Sequence, residues 1–140
     1  MTKKTNKSNQ SFADLLPNLP SNNSGTEYIS ITNEIEVKVS PEFVDKQVSS
    51  AGNLFVWMYH VEIKNKASES YKLINRHWKI IDEKGGVQEV DGEGVVGETP
   101  SISPNESFQY SSGIHLRYPS GIMTGHFQIQ KNKHLLLYFF

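Results

Sequence analysis

One hundred and forty residues, 36% of them hydrophobic and 11% aromatic, are a one-domain length with enough apolar surface for a modest core. Fourteen basic against fifteen acidic residues leave a net charge of −1, which gives no drive toward nucleic acid or an anionic membrane. With no cysteine, disulfides and thiolate metal sites are excluded, as suits a reducing, cytoplasmic setting, and no apolar run approaches the ~18 residues of a membrane helix.

Residues 1–27 are read as a polar, disordered tail preceding a domain over 28–140. Lys3, Lys4 and Lys7 are followed by Asn, Ser, Thr and Pro, with no apolar stretch of the kind a secretory signal needs. Phe12 to Leu16 is the one segment there that could dock on a partner. From Ile29 the pattern changes to a period of two, which predicts strands with one dry face. Ile29, Ile31, Ile35, Val37 and Val39 alternate with polar residues. Phe55, Trp57, Tyr59, Val61 and Ile63 do the same within Leu54 to Lys64. Tyr71 to Asp82 is a third strand, with Ile74, Trp78 and Ile80 on one face. Glu83-Lys84-Gly85-Gly86 reads as a tight turn into Val87 to Val90. Ser107 to Tyr110 and Ile122 to Ile129 follow, and a short strand closes the chain from His134 to Phe140. No window has a helical repeat. Seven or more short strands bounded by turns predict an all-β sandwich.

Gly92-Glu93-Gly94-Val95-Val96-Gly97-Glu98 has the G-x-G-x-x-G spacing of a dinucleotide-binding turn. That spacing carries its meaning only between a strand and a helix. Thr99-Pro100 and Pro104 follow, and proline denies a helix its donors and geometry. The glycines are therefore placed on a loop between strands, as a turn or as a nest of N–H groups for an anion. The loop has no Lys or Arg, and Asp91, Glu93 and Glu98 surround it with negative charge. Those three carboxylates are the candidates for a divalent cation, since hard cations take oxygen ligands. Arg76 and His77, on opposite faces of their strand, are the polar candidates to supply the charge the loop lacks, with Trp78 as packing anchor. The five histidines, His60, His77, His115, His126 and His134, have no metal-ligand spacing. No nucleophile elbow, thiol or zincin motif is present, and nothing in the sequence pairs Ser107, Ser111 or Ser112 with a base. The chain is read as no enzyme.

Four segments resemble the ApaG proteins: Asn75 to Asp82 (NRHWKIID), Gly92 to Pro100 (GEGVVGETP), Ser103 to Gly113 (SPNESFQYSSG) and Pro119 to Gly125 (PSGIMTG). The series covers most of Ile29 to Ile129. The resemblance implies an immunoglobulin-like or fibronectin type III-like sandwich in a small cytoplasmic protein without an assigned reaction. It further implies an association with cobalt and magnesium resistance or efflux, and pyrophosphate binding has been suggested for the family's glycine loop. The same domain in an F-box protein looks like an interaction module. The chain departs from the family's usual I-P-x-F ending by closing on His134-Leu135-Leu136-Leu137-Tyr138-Phe139-Phe140. The expectation is a binding module that recognises a protein, or a small anionic ligand, near Gly92–Gly97, with Arg76 and His77 lining the site. It needs no cofactor, and its effect on metals is indirect. The alternative is direct binding of a divalent cation or a pyrophosphate-containing nucleotide at the same loop. The oligomeric state is left open.

Overall fold

The computed structural model describes residues 26–94, 97–131 and, for the backbone, 134–139; residues 1–25 of the expected tail lie outside them. The alternating segments become nine strands: β1 (Tyr28–Thr32), β2 (Ile35–Ser49), β3 (Gly52–Asn65), β4 (Tyr71–Asp82), β5 (Val87–Glu93), β6 (Ser101–Ile102), β7 (Ser107–Leu116), β8 (Gly121–Lys131) and β9 (His134–Phe139). They form two antiparallel sheets. One has the order β1-β2-β3-β7; the other has β5-β4-β8-β9, with β6 also paired to β4. This is the all-β sandwich that the alternation predicts.

The core lies between the inner faces. Val37, Val39, Trp57, Tyr59, Val61 and Ile63 from the first sheet meet Tyr71, Leu73, Trp78, Ile80, Phe127 and Ile129 from the second, all buried. Trp78 anchors it. Its ring is edge-on to Phe127 at 6.0 Å and tilted against Tyr59 at 5.6 Å. Truncating such a residue costs ~3–5 kcal/mol. The fully buried Asn65 is satisfied: its Nδ2 donates to the carbonyls of Glu69 (2.7 Å) and Ile102 (2.9 Å), and its Oδ1 accepts from the Ala67 N–H (2.8 Å). The end of β3 is thereby tied to β6.

Three expectations are corrected. The alternation from Ile29 to Val39 is not one strand. Asn33 and Glu34 both take positive φ (47° and 70°), as the two-residue hairpin turn requires, and β1 folds back on β2 with Thr32 opposite Ile35. Reversal changes which residues share a side. Ser30 and Tyr28 oppose the buried Val37 and Val39, while Ile29 and Ile31 oppose Lys38 and Glu36 and are each 57% exposed. On β4, the register against β8 shifts between Leu73 and Asn75. Ile74 is the extra residue of this bulge, so Leu73 rather than Ile74 joins Trp78 and Ile80 in the core. Finally, β5 runs on to Glu93, so Asp91, Gly92 and Glu93 are strand residues, not loop residues.

Candidate functional site

Bulge and glycine segment meet. β5 pairs with β4 from Ile81↔Val87 to Asn75↔Glu93. At the bulge the chain departs: the Gly94 N–H donates to the Ile74 carbonyl. It returns one residue further along β4, where the Pro100 carbonyl accepts from the Leu73 N–H at 2.9 Å, and β6 then pairs with Tyr71 and Lys72. The glycine segment is thus an excursion from one edge of the second sheet. Its roots are held by β4 and, through Asn65, by β3.

Gly94 has a φ of +59°, and a Cβ there would stand 1.8 Å from the Glu98 carbonyl oxygen. No other residue fits without moving backbone. Gly92 is required for a different reason: Arg76 lies opposite it, and a Cβ would stand 2.8 Å from the guanidinium Nη1. That nitrogen donates to the Gly94 carbonyl at 3.0 Å. Arg76 therefore reaches across the bare backbone of Gly92 to hold the start of the loop. Gly97 also has positive φ (81°), with open space around it.

Arg76 and His77 do not converge. Arg76 shares the inner side with Trp78 and acts electrostatically on Tyr110. Burial pushes the Tyr110 phenol above its ordinary pKa, as does the neighbouring Tyr59, while the Trp78 indole and the Arg76 charge oppose the rise. His77 points outward. Its Nδ1 meets Asp91 Oδ1 at 2.5 Å and its Nε2 lies 3.3 Å from Glu89 Oε1. Its ring stacks on His126, across β4 and β8, with centroids 5.2 Å apart. Asn75 completes this face by donating to Gln128 Oε1 at 2.5 Å. An open groove of about 460 Å³ runs over Asn75, His77, Asp91, Glu93 and His126 to the Arg76–Gly92 pair.

Of the three carboxylate candidates, two stay together and one stands apart. Asp91 is engaged by His77; Glu93, two residues on, shares its side of β5; Glu98 lies on the return limb of the loop. Among the described residues no three His, Asp or Glu side chains gather in a way that could hold a metal ion.

One arrangement escaped the sequence. Ser111, read there as having no base, stands 2.6 Å from His60 Nδ1, and His60 Nε2 is 2.8 Å from Glu42 Oε1. The strands β2, β3 and β7 bring them together on the outer face of the first sheet through the pairings Ser40↔His60 and His60↔Ser111. A serine–histidine–carboxylate relay depends on a buried carboxylate to orient and stabilise the ring. Here the Glu42 and His60 side chains are 54% and 44% exposed, so this is a polar cross-strand contact in water. Asn65 also escaped the sequence reading; only an asparagine amid Ile63 and Ala67 hinted that a buried polar pin was needed.

Fold and loop together define a class: a two-sheet antiparallel sandwich whose glycine segment breaks a sheet edge, not a nucleotide fold with that segment heading a helix. The ApaG domain family matches residues 45–131, and the chain belongs to that family. It is 48% identical over 103 residues to a Protein ApaG of Paramagnetospirillum magneticum, covering 74% of this chain and 79% of the relative. A Protein ApaG of Bradyrhizobium diazoefficiens is 46% identical over 102 residues, covering 73% and 78%. Two solved structures are similar at 37% identity. One, an X-ray structure from a structural genomics consortium, gives a TM-score of 0.74 over 79% of this chain and 84% of the other. The second, a Bordetella pertussis protein described as ApaA, gives 0.70 over 75% and 86%.

Proposed function

We propose that the chain is a non-catalytic binding module whose recognition surface is the broken edge of the second sheet, and that it contacts an acidic group of a protein partner. The supporting observation is Arg76. Its partly buried guanidinium gives one N–H to the Gly94 carbonyl, and among the described residues no carboxylate pairs with it. A guanidinium has five donors in a planar fork suited to a carboxylate or phosphate. His77 and Asn75 lie on the adjoining groove and extend the surface. In a cytoplasmic setting, the association with cobalt and magnesium efflux is then exerted through the partner, without a cofactor. Among the described residues no helix is long and apolar enough to cross a membrane.

The alternative, direct binding of a divalent cation or a pyrophosphate group at Gly92–Gly97, has less support. The Gly94 N–H, which an anion nest would use, is committed to Ile74, and Asp91 is committed to His77. Affinity capture from a native lysate tests the proposal. The wild type is expected to retain a protein that the Arg76→Ala, His77→Ala double variant loses; equal recovery by both would place recognition elsewhere. In parallel calorimetry, heat with magnesium or cobalt that vanishes on neutralising Asp91, Glu93 and Glu98 would support the cation reading instead. Heat with inorganic pyrophosphate that survives this change but vanishes in Gly94→Val would support the backbone nest.

A further inference from the structure

The groove at the broken edge carries two charges of opposite sign that the chain does not pair with each other. Along β5, Glu89, Asp91 and Glu93 are alternate residues and project from one face of the sheet. Opposite them on β4 stand Lys79, His77 and Asn75. His77 serves the first two carboxylates, with Nε2 3.3 Å from Glu89 and Nδ1 2.5 Å from Asp91. Asn75 does not serve the third, because its amide donates to Gln128 on the neighbouring strand at 2.5 Å. Glu93 is exposed, and among the described residues its carboxylate has neither a hydrogen-bond nor an ion-pair partner. The positive pole is Arg76. Its side chain crosses the bare backbone of Gly92 and gives one N–H to the Gly94 carbonyl. Gly92 and Gly94 flank Glu93 in the chain, so guanidinium and carboxylate are set one residue apart along β5 and on opposite sides of it. Strand alternation keeps them from closing on each other, while the same open groove reaches both.

We propose, resting on the reading of Arg76 as the acid-binding group, that this groove recognises an acidic residue with a basic residue immediately next to it, in an extended segment of the partner. The acidic side chain enters the guanidinium fork, whose remaining N–H groups are open to it after the bond to Gly94. The basic side chain lies against Glu93. Successive side chains of an extended chain point to opposite sides and are one residue apart, the same offset as that between Arg76 and Glu93. Charge complementarity selects this partner over a wholly acidic one. Two adjacent acidic residues would satisfy Arg76 with the first and set the second against Glu93, with Asp91 close by on the same face. Like charges brought side by side on a sheet destabilise by about as much as opposite charges stabilise, so the mixed pair gains twice from Glu93: one attraction made and one repulsion avoided. Both poles are in contact with water, so the discrimination is modest.

Amide NMR of the full chain during peptide titration tests this, at low ionic strength so that surface charges are not screened. The probes are the acetylated, amidated tetrapeptides Ala-Asp-Lys-Ala and Ala-Asp-Asp-Ala. On the wild type, Ala-Asp-Lys-Ala is expected to saturate the shifts of residues 75–77 and 91–94 at a concentration about threefold below that of Ala-Asp-Asp-Ala, the size of effect that exposed ion pairs give. Glu93→Gln, at an exposed position, should narrow that gap at least about twofold, and Glu93→Lys should reverse the order of the two peptides. If Ala-Asp-Asp-Ala binds the wild type as tightly as Ala-Asp-Lys-Ala or more so, the proposal is overturned. A preference for Ala-Asp-Lys-Ala that is undiminished in Glu93→Gln overturns it as well. In either case a loss of all shifts in Arg76→Ala would still leave Arg76 as the acid-binding group. If neither peptide moves these signals up to about 10 mM, or if the shifts survive Arg76→Ala, the reading of Arg76 fails and this proposal fails with it.

Discussion

The edge formed by β1 and the edge formed by β5 and β6 solve the same problem differently. β1 keeps uninterrupted register with β2 over all five residues. The other edge is cut in two, because β5 stops at Glu93, the chain leaves at Gly94, and β6 rejoins β4 only at Ser101. A regular edge offers a straight row of backbone groups to any approaching strand; an interrupted one does not. The interruption needs a glycine in the left-handed region, an arginine laid across a second glycine, a bulge in the neighbouring strand and a buried asparagine beneath the return limb. So much local specification at one edge, and so little at the other, makes the interrupted edge the more rigidly determined of the two.

The largest expected effect is at the point of departure. Gly94→Val puts a β-branched residue at φ +59° with its Cβ against the Glu98 carbonyl. Left-handed backbone costs ~1–2 kcal/mol and the clash ~1–3 kcal/mol, so a loss of about 3 kcal/mol is expected in urea unfolding. A loss under about 1 kcal/mol, less than the left-handed backbone alone should cost a side-chain-bearing residue, would mean that the loop leaves β4 differently. Asn65→Ala comes next. It strips the Glu69 and Ile102 carbonyls of a donor and the Ala67 N–H of an acceptor, for about 2 kcal/mol. Amide exchange should quicken at the β6 end of the broken edge and stay unchanged in β1; equal acceleration at both edges would remove the distinction between them.

The smallest effect is on the outer face of the first sheet, where β3 pairs with β7. Hydrogen bonds from Gln109 and then Lys38 hold the Glu62 carboxyl below its ordinary pKa. A depressed carboxyl pKa contributes stability that is complete above the unfolded value and is lost as pH falls through the folded one. The exposed setting limits this to ~0.5 kcal/mol or less. Gln109→Leu should therefore move the Glu62 titration, followed by carboxyl NMR, up toward the ordinary carboxylate value and flatten the acid-side loss of stability. A titration that does not move would remove Gln109 as the main cause.

The period-two patterns of Leu54 to Lys64 and of Tyr71 to Asp82 determined, from the sequence alone, two strands, the dry face of the first and the place of Trp78 in the core. Proline after the glycine segment likewise excluded a helix there, because a missing N–H and a fixed φ act locally. Which side Ile29 and Ile31 occupy, that Leu73 rather than Ile74 is buried, and that Gly92 lies within a strand were decided only by tertiary structure. A hairpin turn reverses the chain and a bulge shifts the count by one, and with a period of two either change moves a side chain to the other face. The meeting of Arg76 with Gly92 and Gly94, of Asn65 with Ile102, and of Ser111 with His60 was likewise fixed by strand order and register. Those contacts join residues far apart in the chain, and no local preference encodes them.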